Sequence, residues 1–169
     1  MKKANVLALE QAIKSCANLV GPKFVYAVAR NFEVVSKEAE SIRAAIKPAP
    51  DFTVYEQDRI ELGKKLAKKD ESGKPQTTPD GSQFIITDMV VFEKEIEKLK
   101  IKHKKALDIR DQQLKDFEAL LDTESDIKLF KVNHSEMPAN ITAGQEMGIV
   151  AMIDFGEGIV EKAEKVIKK

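Results

Sequence analysis

Two pairs of carboxylates, Asp58 with Glu61 and Glu161 with Glu164, stand one helical turn apart. Acid pairs at this spacing hold magnesium in helical nucleotide hydrolases, because side chains three or four apart share a helix face and a hard cation takes oxygen ligands. Such an ion needs several carboxylates converging on one site, and both pairs stand among lysines, one of them at the chain's end. A metal-dependent nucleotide hydrolase is therefore an alternative reading rather than the main one. Other reactive residue types are sparse. His103 and His134 are the only histidines, and neither has a partner at ligand spacing. Cys16 is the single cysteine and lies on the apolar side of a helical pattern, which reads as a buried, inert thiol with no intrachain disulfide. Asp154-Phe155-Gly156 has the letters of the kinase metal-binding tripeptide but lacks the Gly-rich and catalytic loops. No Gly-x-Ser-x-Gly and no P-loop occurs. The sequence predicts no catalytic residue, no metal site and no cofactor.

Contact chemistry is better represented. Lys98-Leu-Lys-Ile-Lys-His-Lys-Lys105 is the most basic run, and in isolation it suits a phosphate backbone. Glu93, Glu95 and Glu97 nevertheless supply partners one turn away, and no aromatics interleave with the lysines to stack bases. The run reads as a solvated helix face, with nucleic acid an unexpected partner. The candidate interaction residues are Lys98, Lys102, His103, Lys105 and Arg110 on this helix, with Asp80 and Phe84 at the preceding turn. His103 and Arg110 fall on the apolar seam of the helix. They either pair across a helix interface and fix its register, or mark where the seam drifts out to solvent.

Composition sets the class. The 169 residues carry a formal net charge of zero, which argues against whole-molecule attraction to nucleic acid or an anionic membrane. Charged residues make up 33%, above the usual quarter, and Trp is absent, as suits long exposed helices with thin apolar stripes. The lone cysteine fits a reducing compartment. Glu10, Gln11 and Lys14 interrupt the apolar run near the start, which argues against an export signal. No segment approaches the length of a transmembrane span. A soluble, cytosolic protein of one domain is expected.

The elements that must position these residues follow from periodicity. Asp88 to about Asp122 contains no Gly or Pro and carries apolar residues at Phe92, Ile96, Leu99, Ala106, Leu114, Phe117 and Leu121, the seam of one long helix. Asn5 to Val20 reads as a first helix capped by Asn5, with Val6, Leu9, Ile13, Cys16 and Val20 inward. Gly21-Pro22 separates it from a second helix to Ile46, striped by Val25, Val28, Phe32, Val35, Ala39, Ile42 and Ile46. Lys47–Pro50 breaks that helix, and Asp51 or Thr53 caps a third reaching about Lys69. Pro79-Asp80-Gly81 is a turn signal between β-hairpin arms near Lys74–Thr78 and Ser82–Thr87. Asp126–Val132 alternates as a short strand. Thr142 to Gln145 has a capping-box pattern opening a helix through about Ile153, the least polar of the chain, whose Met147, Val150, Ala151, Met152 and Ile153 are expected to pack deeply. Gly144-x-x-x-Gly148 predicts close helix packing, and Ile159–Lys169 a Lys-rich amphipathic end.

A resemblance covers about Tyr55 to Asp154. Tyr55-Glu56-x-x-Arg59-Ile-Glu-Leu62 leads into Ala67-Lys-Lys-Asp-Glu-Ser-Gly-Lys-Pro75, then Phe92–Leu99, Ile127–Val132 and Met137-Pro-Ala-Asn-Ile-Thr142. The pattern resembles a group of small proteins of tailed-bacteriophage genomes, largely of unknown function. The resemblance implies a phage or prophage origin and a site of action in the host cytoplasm, and carries over no catalytic residue.

The expected fold is mainly α: a long antiparallel helical hairpin or coiled-coil-like bundle, with a small β-hairpin over 71–87 and a C-terminal strand plus helix. The ridges Val25–Ile46 and Phe92–Leu121 are expected to bury themselves against each other or a sister copy, which favours a homo-oligomer. The expected function is non-enzymatic: a phage-encoded protein that binds a host or phage protein, for instance to inhibit a host defence. A virion structural or assembly role is the first alternative.

Overall fold

The computed structural model describes residues 1–156. The predicted helix over Ile159–Lys169, with Glu161 and Glu164, lies outside them. The chain divides into two compact units, Met1–Ala45 with Phe117–Lys169 (unit 1) and Ile46–Asp116 (unit 2).

Unit 1 is built on a helical pair, α1 (Lys3–Ser15) against α2 (Pro22–Ala45). On α1, Val6, Leu9, Ile13 and Cys16 are buried, as their spacing predicts. The helix begins earlier than expected, with Lys2 at the N-cap making no side-chain cap, so Asn5 is not the cap. It also ends earlier, and Val20 is exposed. Gly21, at φ +133°, supplies the sharp turn that lets Pro22 open α2.

The predicted stripe on α2 is right in its second half, where Val35, Ala39 and Ile42 are buried, and out of phase in its first. There Phe24, Ala27 and Asn31 face the core, while Val25 and Phe32 are exposed. Within unit 1, α2 lays its buried side on α1, and Phe117 and Leu121 from the end of the second predicted ridge pack against the same core. Unit 1 closes with β1 (Val132–Asn133) pairing parallel to β2 (Ile153–Asp154), and with Ile149 and Met152 in the core.

The C-terminal expectations need correction. Asp126–Val132 is not a strand except at its last residue. The helix expected to reach Ile153 stops as α6 (Ala143–Gly148), followed by a 3-10 turn over Val150–Met152. Of the residues expected to pack deeply, Met152 and Ile153 are buried, Ala151 is partly covered, and Met147 and Val150 are exposed. The capping box forms as predicted, with Thr142 accepting from the Gln145 backbone and the Gln145 side chain from that of Thr142. Gly148 presses on Ala12: a Cβ there would lie 2.7 Å from Ala12 Cβ. Nothing crowds Gly144, so only the second glycine of the pair serves close packing.

Unit 2 pairs α3 (Pro50–Leu66) with α4 (Met89–Lys102). Pro50 sits in the first turn of α3, and neither Asp51 nor Thr53 is its N-cap. Asp88 does cap α4, accepting from Val91 N at 3.0 Å. The predicted continuous long helix is interrupted: α4 ends at His103, whose φ of −106° and ψ of 20° leave the helical region, and α5 (Lys104–Asp122) follows.

The predicted β-hairpin does not form. Residues 67–87 make only isolated antiparallel bridges, Ala67↔Ile86, Lys69↔Pro75 and Thr77↔Phe84. Pairing is shared among three short segments, with Gln76 N donating to Lys68 O and Ile85 N to Gln76 O. Pro75 and Pro79 have no N–H to donate, so no ladder extends beyond single bridges. The turn itself is as expected, with Gly81 at φ +72° and its N–H on Thr78 O.

Among the described residues, no helix is long and apolar enough to cross a membrane.

Candidate functional site

The polar residues of the predicted seam are brought together on unit 2. His103 is only 12% exposed at its side chain, and its Nε2 lies 2.8 Å from Asp58 Oδ2 on α3. Lys102 Nζ reaches the same oxygen at 2.8 Å. The Tyr55 ring meets the imidazole edge-on at 5.7 Å between centroids. Lys102, then His103, hold the Asp58 carboxyl below the ordinary carboxylate range. His103 therefore faces in and pairs with an acid on the neighbouring helix.

Arg110 faces in as well, but onto backbone. Its guanidinium donates to Ile46 O and to Gln113 Oε1, each at 2.7 Å, and lies 5.4 Å from the Phe52 ring centroid. Gln113 Nε2 donates to Lys47 O at 2.7 Å. These carbonyls precede Pro48, where no helical N–H takes them up. The pair thus fastens the Lys47–Pro50 break to α5.

The remaining candidates are dispersed. Lys98 pairs with Glu95 at 2.6 Å and Lys100 with Glu97 at 2.6 Å, both exposed ion pairs within one helix. Lys105 lines a shallow hollow with Asp51, Val54 and His103. Asp80 accepts from Thr78 Oγ1 and from the N–H and hydroxyl of Ser82, which push its carboxyl down to about 2. That describes a turn holding its own shape. Phe84 lies half-buried over Gly63, and a Cβ on Gly63 would stand 2.8 Å from its ring. Beside this contact runs a groove of about 480 Å³, walled by Ile60, Met89 and Phe92.

The acids of the described carboxylate pair have other partners. Asp58 is engaged by Lys102 and His103, and Glu61 by Lys64 at 2.9 Å. No group of three or more metal-ligating side chains gathers among the described residues. His134 pairs with Glu146 and stacks on Phe155, and Asp154 accepts from Gly156 N at 3.0 Å, so the Asp-Phe-Gly letters mark a turn after β2. Cys16 is fully enclosed, and burial pushes its thiol pKa up.

One surface was not singled out in the sequence. On unit 1, Tyr26 (55% exposed) and Phe130 (48% exposed) meet edge to face at 5.3 Å. They line a groove of about 370 Å³ with Pro22, Lys23, Lys131 and Val132. Asn31 fixes Phe130 from inside the core, accepting from its N–H at 2.7 Å and donating to its carbonyl at 2.8 Å. The signal was present in the alternation over Ile127–Lys131, which turns Ile127 and Leu129 inward and Phe130 outward with the lysines.

The chain matches no protein-family model, no curated protein and no solved structure.

Proposed function

We propose that this is a non-enzymatic, phage-encoded protein that acts in the host cytoplasm by binding another protein. The observation that carries the reading is the exposed Tyr26–Phe130 pair. Aromatic side chains give large contact area for little lost freedom, and they dominate binding energy where they cluster. Here both rings stand on backbone fixed by α2 and by the Asn31 bonds, so little ordering remains to oppose binding. Lys23, paired with Glu136, and Lys131, donating to Ala151 O, border the rings. The phage origin rests on the resemblance over Tyr55–Asp154.

The test is capture from host lysate on the immobilised chain, compared with the Tyr26→Ser, Phe130→Ser double variant. A host protein held by the first and released by the second is the expected result. Loss of two central aromatics weakens binding by roughly 30-fold or more. Retention in purified virions, with equal capture by both forms, would favour the assembly role instead.

A further inference from the structure

Residues 125–130 of unit 1 alternate, one by one, between covered and exposed, the mark of an extended strand. In such a strand the N–H and C=O of one residue point to one side, and those of the next to the other. On the side to which Phe130 turns, the Asn31 side-chain amide bonds both its N–H and its carbonyl, standing where a neighbouring strand would. On the opposite side, Ser125 N donates to Met1 O at 2.8 Å and Lys3 N to Thr123 O at 2.9 Å, around an antiparallel bridge of Lys2 with Glu124. Ile127 and Leu129 turn to this same side. Among the described residues, nothing bonds the N–H or C=O of either. Backbone groups without a protein partner are met by water, so this edge is open.

We propose that the edge at Ile127 and Leu129 receives an extended peptide segment of a partner protein, added antiparallel as a strand beside Phe130. The proposal rests on the reading above that the Tyr26–Phe130 face binds protein, and it names the binding mode and the chemistry of the segment. The N–H and C=O groups of two residues at strand spacing are a template for another backbone. Charge then selects the segment. Asp126, Lys128 and Phe130 all stand outward: an acid, a base and an aromatic ring. Neither charge has an ion-pair partner among the described residues. Side chains directly opposite each other across an antiparallel pair interact, and opposite charges favour the pairing. The matching segment therefore reads, from its N-terminus, apolar, any residue, acidic, any residue, basic. A second copy of this chain does not meet that requirement. The register that sets its Asp126 over Lys128 also sets its Leu129 on Ser125, whose N–H is already taken by Met1.

The test is NMR of the isotope-labelled full chain with the synthetic peptide acetyl-Thr-Phe-Val-Glu-Val-Lys-Thr-amide. Titration to millimolar peptide is expected to move the amide signals of Ile127 and Leu129 and to slow their exchange. Methylating the two valine nitrogens removes the donors to the Ile127 and Leu129 carbonyls, and should weaken binding roughly 30-fold. Exchanging the peptide's glutamate and lysine should weaken it roughly 5-fold, and the Asp126→Lys, Lys128→Glu double variant should prefer the exchanged peptide. Both replaced side chains are exposed, and unchanged circular dichroism checks the fold. A methylated peptide that binds as tightly as its parent overturns the proposal. So does slowed exchange at Ile127 and Leu129 on concentrating the chain alone, which would seat a second copy there. A peptide that fails while capture from lysate still depends on Tyr26 and Phe130 overturns strand addition and leaves the aromatic contact standing. If that capture fails as well, both fall.

Discussion

His103 Nε2 stands 2.8 Å from Asp58 Oδ2, so the residue that ends α4 is also the one that ties it to α3. Replacing His103 by Ala removes this bond and the edge-on contact with Tyr55, leaving a gap in a seam with little else fully buried. The variant is expected to lose about 1–2 kcal/mol in urea unfolding. Lys102→Ala, which removes only the exposed partner of the same carboxylate, should stay within about 0.5 kcal/mol. Hydrogen exchange along α4 should quicken in the first variant and not in the second.

Gly63→Ala sets two effects against each other. Alanine gains about 1 kcal/mol in a helix interior, but its methyl would sit 2.8 Å from the Phe84 ring. Overpacking costs about 1–3 kcal/mol, so net destabilisation is expected. In a Phe84→Ala background the clash is gone, and the same substitution should become stabilising. A double-mutant cycle by chemical denaturation reads the reversal.

Asn31 is the most consequential polar residue of unit 1. It is buried, and it satisfies both the N–H and the carbonyl of Phe130. Asn31→Ala leaves both without this partner and should cost roughly 2–4 kcal/mol by thermal or chemical unfolding. Asn31→Asp keeps the acceptor but buries a carboxylate with one oxygen against the Phe130 carbonyl, and should cost at least as much as the Ala variant at neutral pH.

Acid should expose the role of Glu10. Its buried carboxylate on α1 receives Arg43 from α2 and Lys14 from its own helix, and the Arg43 bond leads in holding its pKa below the ordinary 4.5. Because the folded value is the lower one, the ion pairs stabilise fully above the ordinary pKa. They are lost as pH falls from 4.5 through the depressed value. Glu10→Gln should therefore be less stable than the parent at neutral pH, with the difference shrinking across that window.

Asp80 gives a local check on the turn. Its carboxyl should titrate at about 2 by NMR, and return toward the ordinary range when Thr78 and Ser82 are both replaced by Ala.

Much of the helical content was legible in the chain because it depends on neighbours one turn away. The break at Lys47–Pro50, the Asp88 cap, the Thr142–Gln145 capping box and the inward face of α1 all follow from local spacing. Partner choice does not follow from it. A stripe announces that a helix buries a face, not against what, and α2 turned part of its face by one residue to seat Phe24, Ala27 and Asn31. The arms near Thr77 and Phe84 had strand-forming sequences, yet the tail of α3 took a share of their backbone bonds. His103 and Arg110 were visible as polar residues on a seam. Only tertiary structure decided that one meets a carboxylate and the other the Ile46 carbonyl, because those acceptor atoms lie far away in sequence.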